Sequence, residues 1–434
     1  MSTSVAVVGA GVAGLSAAYH LPEDIDVTVY ERNDYAGGHA NTIEVDEDGR
    51  RLGIDTAFVV FNARTYPQLS KFFADLEVPT LDHQGGFNFF DLDSGLNYGT
   101  AELALDEEVV RERYPQDFQT IWREAKRFHT EAPKDFLRGR TNVPLGEYLD
   151  SRGYSAAFKY SYVVLLATAV WSVPAELIWE MPATTVIAFY MSHDEGGLGG
   201  MSVNWKTVGG GSISYVRRIV EKIRGRVLLS EPALGIRDEG DQVIVTSAGG
   251  SRAYDYVVLA THADEALKLL ERPTGEQRQV LQTVRYSATR AVLHTDPAVL
   301  PGDRSRWQSW NYGKKTVDDR VRTWVAYYMN PLQDLDARND YFVTLDCPVQ
   351  PRDETVIKEI DYTHPVIDLG VRAMQKTIYD VNRSGRVKLA GSYFHSPKIG
   401  PDLVGSHEAA FVSGLHAARS VAQTRQQGTA DSIR

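Results

Sequence analysis

The stretch from Ser4 to Leu21, SVAVVGAGVAGLSAAYHL, constrains this chain more than any other. Val5-Ala6-Val7-Val8 reads as a short buried parallel strand. It breaks into Gly9-Ala10-Gly11-Val12-Ala13-Gly14 and passes at once into a helix-forming run. Gly9 permits the tight turn, Gly11 leaves room for backbone to approach a diphosphate, and Gly14 lets helix and strand pack closely. The first helical N–H groups, with Val12 and Ala13 among them, then face the phosphates at the positive end of the helix dipole. A second strand, Val27-Thr28-Val29-Tyr30, ends at Glu31, twenty residues beyond Gly11, with Arg32 beside it. A carboxylate at that distance accepts from ribose hydroxyls. Glycine triplets occur in ordinary loops, but here strand, helix and acid agree, and a dinucleotide-binding βαβ unit is expected.

At 434 residues the chain is long enough for two intimately connected domains. An apolar fraction of 43% supports a large core. The 46 basic and 57 acidic residues leave a net charge of −11, which argues against nucleic acid as a partner. A lone cysteine, Cys347, excludes a disulfide framework and a cysteine metal site, and no metal is expected. It lies in a strand-like run and reads as a buried structural thiol. No basic region with an apolar core precedes the first strand, so no signal peptide is expected and a cytoplasmic location is. The most apolar segment, Tyr162 to Val173, is too short to span a bilayer and reads as a buried helix lining a cavity, which leaves peripheral membrane contact open.

Beyond Glu31, the pair Gly37-Gly38 followed by His39 brings a second loop to the phosphates with a polar or basic side chain alongside. A hairpin over residues 43–55 follows, then a loop from Asp55 to Asn62 that enters the interior, then a helix over 66–78 with Leu69, Phe72, Phe73 and Leu76 on one face. The aromatic-rich region to about residue 199 has no nucleotide signature and reads as a substrate-facing cap. A glycine run after Trp205-Lys206-Thr207-Val208, a helix, and strands near 227, 243 and 256–260, the last ending at Ala260, return the chain to the nucleotide-binding domain. Long alternating strands over 286–345 suit an antiparallel sheet in a second domain. Val387 to Gly391 is a short buried strand, and a last helix carries Phe411, Leu415, Ala418 and Val421 on one face. The polar tail is expected to be disordered.

A βαβ at the start, a Gly-Gly-His after the second strand and a strand-glycine-loop-helix near the end resemble, in that order, the flavin amine oxidase, phytoene desaturase and protoporphyrinogen oxidase superfamily. Over nearly the whole chain, Asp55-Thr56-Ala57-Phe58, Trp171-Ser172-Val173-Pro174, Ser309-Trp310-Asn311-Tyr312 and His364-Pro365-Val366 are similar to one bacterial group. These are the predicted NAD/FAD-binding proteins found beside cyclopropane-fatty-acid-synthase-like methyltransferases, some of them implicated in desaturating methylated acyl chains. The resemblance implies an α/β fold: a Rossmann-like FAD-binding domain of glutathione-reductase type, made of residues 1–65, 200–285 and 380–425. An interleaved α+β substrate domain of amine-oxidase type takes 66–199 and 286–379, and 426–434 form the tail. It implies non-covalent FAD, touched by Gly9, Gly11, Val12, Ala13, Gly14, Glu31, Arg32, Gly37, Gly38 and His39 around the diphosphate and ribose. Ala233, Leu234 and Ala260 lie at the adenosine side, and Thr56, Ala57, Phe58, Gly391, Ser392, Glu408, Ala409 and Ala410 toward the flavin. The backbone N–H groups of Ala409 and Ala410 are expected to donate to the flavin carbonyl. The group usually has glycine in place of Ala57, and residues 394–402 stand as an insertion; both departures bear on the substrate more than on the cofactor.

Spacing does not fix the catalytic residues. Tyr312 shares a strand face with Trp310 and lines a pocket or joins a core aromatic cluster at even odds. Lys206 bonds a flavin edge through water, as a lysine does in amine oxidases, or is solvated. His294 sits in an alternating strand, where a structural histidine outweighs a base. Glu408 is a helix cap or a cofactor contact. The expected function is an FAD-dependent oxidoreductase that removes a hydride from a hydrophobic small molecule or acyl chain. It does so by C–C desaturation or C–N oxidation, with oxygen as the expected acceptor. A redox-neutral isomerase or cyclase on the same fold and a non-catalytic FAD- or NAD-binding protein are the alternatives; oligomeric state is left open.

Overall fold

A computed structural model describes residues 3–83, 85–193, 204–396 and 405–431. The opening turn is built as its residues require. Strand β1 (Thr3–Val8) is flanked by β2 (Ile25–Tyr30), and helix α1 (Val12–His20) crosses between them. They belong to a five-stranded sheet, parallel throughout, in the order Val387–Leu389, Tyr256–Leu259, β1, β2, Gly225–Leu228. Val5 to Val8 are buried on both faces, which explains why an unbroken apolar run, and not an alternating one, codes for this strand.

A second, seven-stranded sheet runs Val356–Val366, Arg285–His294, Phe342–Leu345, Arg320–Tyr328, Trp310–Val317, Phe87–Asp91, Asn97–Gly99. It is antiparallel except where Trp310–Val317 meets Phe87–Asp91 in parallel. The alternating strands expected over 286–345 are there, but the sheet also recruits the short strands near 90 and a long strand after 355. Strand Val243–Ser247, expected with the nucleotide-binding strands, instead pairs with Ala233–Asp238 and Gly250–Tyr254 in a separate antiparallel meander. Helices cover one face of the large sheet, among them Gln116–Leu137 and Val164–Trp171; the latter continues a π-helical turn, Lys159–Val163, and is buried as its composition predicts. No helix among the described residues is long and apolar enough to cross a membrane. Cys347 is buried, and burial pushes its thiol up to about 12.

The C-terminal helix, His407–Asp431, extends well beyond the expected start of the tail at 426. Gln, Arg and Ala propagate a helix cheaply once it is nucleated by packing. That packing is against α1. A Cβ on Gly414 would collide with the carbonyl oxygen of Ala13, and Ser16 Oγ donates to Phe411 O at 2.8 Å. Gly414→Ala is expected to lower stability by about 1–3 kcal/mol through overpacking. Gly275→Ala, where a Cβ meets nothing within 4 Å, serves as the neutral control. Thermal unfolding of the two variants checks this.

Candidate active site

The order of the parallel sheet reverses between β1 and Tyr256–Leu259, and ligands of open α/β sheets bind outside the carboxyl ends at such a point. Two glycine segments, Gly9–Gly14 and Gly37-Gly38, meet there. Gly9 N donates to Tyr30 O at 2.8 Å, and a Cβ on Gly9 would lie 2.8 Å from Ala260 O. A Cβ on Gly14 would collide with Gly9 O, so helix and strand approach as closely as backbone allows. Gly37 N donates to Ala10 O at 2.8 Å, and a Cβ on Gly38 would sit 3.1 Å from Gly11 Cα. At Gly11 itself a Cβ would meet nothing within 4 Å, and no side chain caps α1. Open backbone, an uncapped helix start and a second glycine pair alongside make a cradle that fits a diphosphate. Val12 and Ala13 form the first turn above it.

Glu31 braces this turn. Its carboxylate accepts from Ala10 N at 2.8 Å and Asn33 N at 2.9 Å, with lone pairs left over for ribose hydroxyls. Its backbone pairs with Leu228 and Glu231, drawing the following segment alongside: Ala233 is half-buried and Leu234 is 62% exposed. Arg32 turns outward into an ion pair with Glu265 at 2.5 Å. His39 stacks on Tyr362 with centroids 4.7 Å apart, and burial lowers its pKa to about 3.

Next along the groove is the loop after Asp55. The Asp55 carboxylate, fully buried, takes hydrogen bonds from Thr42 Oγ1, from the N–H and hydroxyl of Ser212 and from Gln333 Nε2. Burial pushes this carboxyl up to about 7 while the Thr42 and Ser212 donors pull it down; with so many donors converging on two oxygens, the geometry serves the ionised form. Asp55 thereby ties the hairpin to the helix Ile213–Lys222 and sets the next three residues. Thr56 Oγ1 contacts Tyr362 OH at 2.7 Å, Ala57 is half-buried, and Phe58, at φ +50°, lies flat on His407 with centroids 3.2 Å apart. His407 Nε2 contacts Tyr215 OH at 2.8 Å, and burial holds His407 well below its ordinary value.

The C-terminal elements depart from expectation in two respects. Ala409 N donates to Ser406 Oγ at 3.1 Å and Ala410 N to Ser406 O at 3.0 Å, so Ser406 already satisfies the donors expected to face the flavin. Glu408 is a cap, though for a different helix: its carboxylate accepts from Gln68 N at 3.0 Å and Leu69 N at 2.9 Å at the start of α2 (Pro67–Asp75). Gly391 N donates to Ser413 Oγ at 2.9 Å, and Ser392 O accepts from Gly405 N at 3.0 Å. Of the inserted loop, residues 397–402 lie outside the described residues.

The three candidate catalytic residues are not brought together. Tyr312 and Trp310 do share one face, stacked with Phe87 at 5.7 and 5.0 Å, and Tyr312 also touches Phe89. Trp205 extends this aromatic wall toward His193. Burial, with Tyr327 and Tyr190 nearby, keeps the Tyr312 phenol far above its ordinary range, so it stays protonated. His294 belongs to the opposite face, packed on Phe342 at 5.6 Å with Nδ1 accepting from Asp296 N. Lys206 pairs with the exposed Asp82 at 2.5 Å. A surface cleft of about 700 Å³ near Tyr160, Trp179 and Arg285 shares no lining residue with this groove. Sequence reasoning passed over Asp55 as a keystone, because its donors come from three distant segments.

The sheet, the glycine cradle and the aromatic face define a dinucleotide-dependent enzyme. Residues 12–315 match the family model for flavin containing amine oxidoreductases, and the chain belongs to that family. It is a flavin-dependent oxidoreductase, and its cofactor is FAD. Among solved structures it is similar to a protein assigned as a protoporphyrinogen oxidase of Exiguobacterium (15% identity, 97% of this chain and 99% of that one, TM-score 0.67). It is also similar to wild-type putrescine oxidase bound to putrescine (15%, 98% and 99%, 0.66) and to cyclohexylamine oxidase of Brevibacterium oxydans (15%, 98% and 100%, 0.66). No curated protein matches. Asp55→Asn is expected to cost about 3 kcal/mol, because a buried amide N–H₂ would face donors in place of an acceptor; urea unfolding measures it, and an unchanged midpoint would contradict the keystone role.

Proposed function

We propose that the protein oxidises a hydrophobic substrate, removing two hydrogens across a C–N or C–C bond, with oxygen as electron acceptor. The observation that carries this reading is the aromatic face of Trp310, Tyr312, Phe87 and Trp205, buried between the large sheet and the cap helices. FAD, when bound, supplies the two-electron oxidation. The Gly9–Gly14 turn, Glu31 and the Gly37-Gly38 pair hold its adenosine diphosphate end. The loop Thr56 to Phe58 and the Gly391-Ser392 turn are proposed to border its flavin end.

The protein's own residues orient the substrate and exclude water. Aromatic faces accept an alkyl or acyl chain through dispersion and area burial, and favour planar, flat-lying groups. Tyr312, held protonated by its surroundings, is proposed to donate a hydrogen bond to a polar atom of the substrate without changing its charge. Fixing the substrate in this dry wall aligns the bond to be oxidised. Lys206, at the edge of the same strand pair as Trp205, is proposed to act from the rim, and His294 in holding its strand end.

The amine-oxidising neighbours favour C–N chemistry, and the chain-like apolar wall suits C–C chemistry equally well; the product decides. Purified holoprotein incubated with candidate amines and acyl chains is expected to consume oxygen and release either an imine or aldehyde, or an alkene. Tyr312→Phe should lower turnover on the order of tenfold, the effect of one lost hydrogen bond. Turnover with neither oxygen uptake nor any other electron acceptor would support redox-neutral isomerisation instead.

A further inference from the structure

We infer that His39, His262 and His364 together form a proton-linked cradle for the diphosphate of the bound dinucleotide. They come from three separate segments. His39 follows the Gly37-Gly38 pair that is packed on Gly11, so the cluster begins where the uncapped start of α1 ends. His262 stands two residues after Ala260, whose carbonyl abuts Gly9, and His364 lies on the strand Val356–Val366. The His39 ring centroid is 5.2 Å from that of His364 and 5.8 Å from that of His262. His39 Nε2 and His364 Nδ1 are shielded from solvent and have no partner among the described residues. His262 contacts Thr363 Oγ1 at 3.0 Å and stacks on Tyr286 at 4.5 Å. Arg32, the nearby guanidinium, is turned into its ion pair with Glu265. Among the described residues, these imidazoles are therefore titratable groups on this side of the glycine cradle that can gain positive charge, beside the ion-paired Arg32.

The other groups facing the cluster are identifiable. Asp264 and Glu265 approach His262 from the helix Ala263–Leu269, and His407 approaches His39 from the C-terminal helix. The Tyr362 and Tyr286 phenols are held above their ordinary range by burial and stay neutral, and Tyr35 and Asp55 lie beyond Tyr362. In the free protein, burial first and the neighbouring imidazoles second hold His39 at about 3 and His364 at about 4, while burial lowers His262 against the upward pull of Glu265 and Asp264. A ligand carrying two phosphate charges reverses that balance, since a nearby opposite charge favours the imidazolium. The balance is one of association alone: free protein, ligand dianion and a solvent proton give a protonated complex, with no covalent bond of the ligand altered. The sign follows. Bound-state values lie above free-state values, so affinity is greatest at low pH and falls as pH rises through the bound-state values.

The inference rests on FAD as cofactor and is independent of the substrate. Apoprotein titrated calorimetrically with FAD, and separately with adenosine diphosphate ribose, whose diphosphate like that of FAD has no titrating terminal phosphate, in buffers of different ionisation enthalpy between about pH 6 and 8 reads the proton directly. Net proton uptake is expected for both ligands, with FAD affinity rising by up to about tenfold per unit fall in pH for each proton bound. His262→Gln and His364→Gln are each expected to reduce uptake and flatten the pH profile. A binding enthalpy independent of buffer overturns the inference, as does uptake with FAD but none with adenosine diphosphate ribose, or uptake unchanged in folded H262Q and H364Q. Should either variant fail to fold, the wild-type buffer comparison still decides. Failure to bind FAD at all would instead strike the cofactor assignment.

Discussion

Everything in this molecule depends on how closely α1 is approached. On one side Gly14 lets the helix sit against the carbonyl of Gly9; on the other, Gly414 lets the C-terminal helix sit against the carbonyl of Ala13. At neither position is there space for even a methyl group. The second crossing carries a segment four hundred residues distant in sequence onto the first turn of the chain, and with it Glu408, which reaches across to cap α2. The Gly37-Gly38 pair completes the set by closing on Gly11. A glycine cradle is thus assembled by backbone-to-backbone contact, and side chains are added at its margins.

The two ends of the groove are built on different physics. The cradle proposed to take the diphosphate is an array of fixed dipoles and close-packed glycines, with Glu31 bracing the turn through Ala10 N and Asn33 N. A site of this kind is largely preformed and tolerates little change. The aromatic face proposed to take the substrate is a stack of rings whose complementarity is to shape and area, which constrains a ligand far less. Between them Asp55, buried and surrounded by donors, fixes the Thr56–Phe58 loop relative to both.

What could be read from the sequence divides along the same line. Gly9 to Gly14, Glu31 and the flanking strands are a local code, since turn, helix start and carboxylate distance are all set within thirty residues; the alternation of Trp310 and Tyr312 about Asn311 is local too, and both strand faces came out as read. Glu408 illustrates the opposite case. Its position at a helix start pointed to a cap, but the helix it caps begins at Pro67, a pairing no spacing rule contains. Ser406 takes the N–H groups of Ala409 and Ala410 because local satisfaction of a helix end comes first. His262 and His364 gave no local signal because only the strand pairing brings them to His39. The tail was read from polarity alone, where packing upstream extends the helix.

This backbone-built cradle is proposed to hold FAD without a covalent bond, and release of flavin on denaturation tests that most directly. Purified protein should be yellow, and heat or acid followed by filtration should free FAD in a one-to-one ratio with the chain, leaving the precipitate colourless. A colourless protein that takes up no added FAD, or flavin that stays with the precipitated chain, would contradict the account.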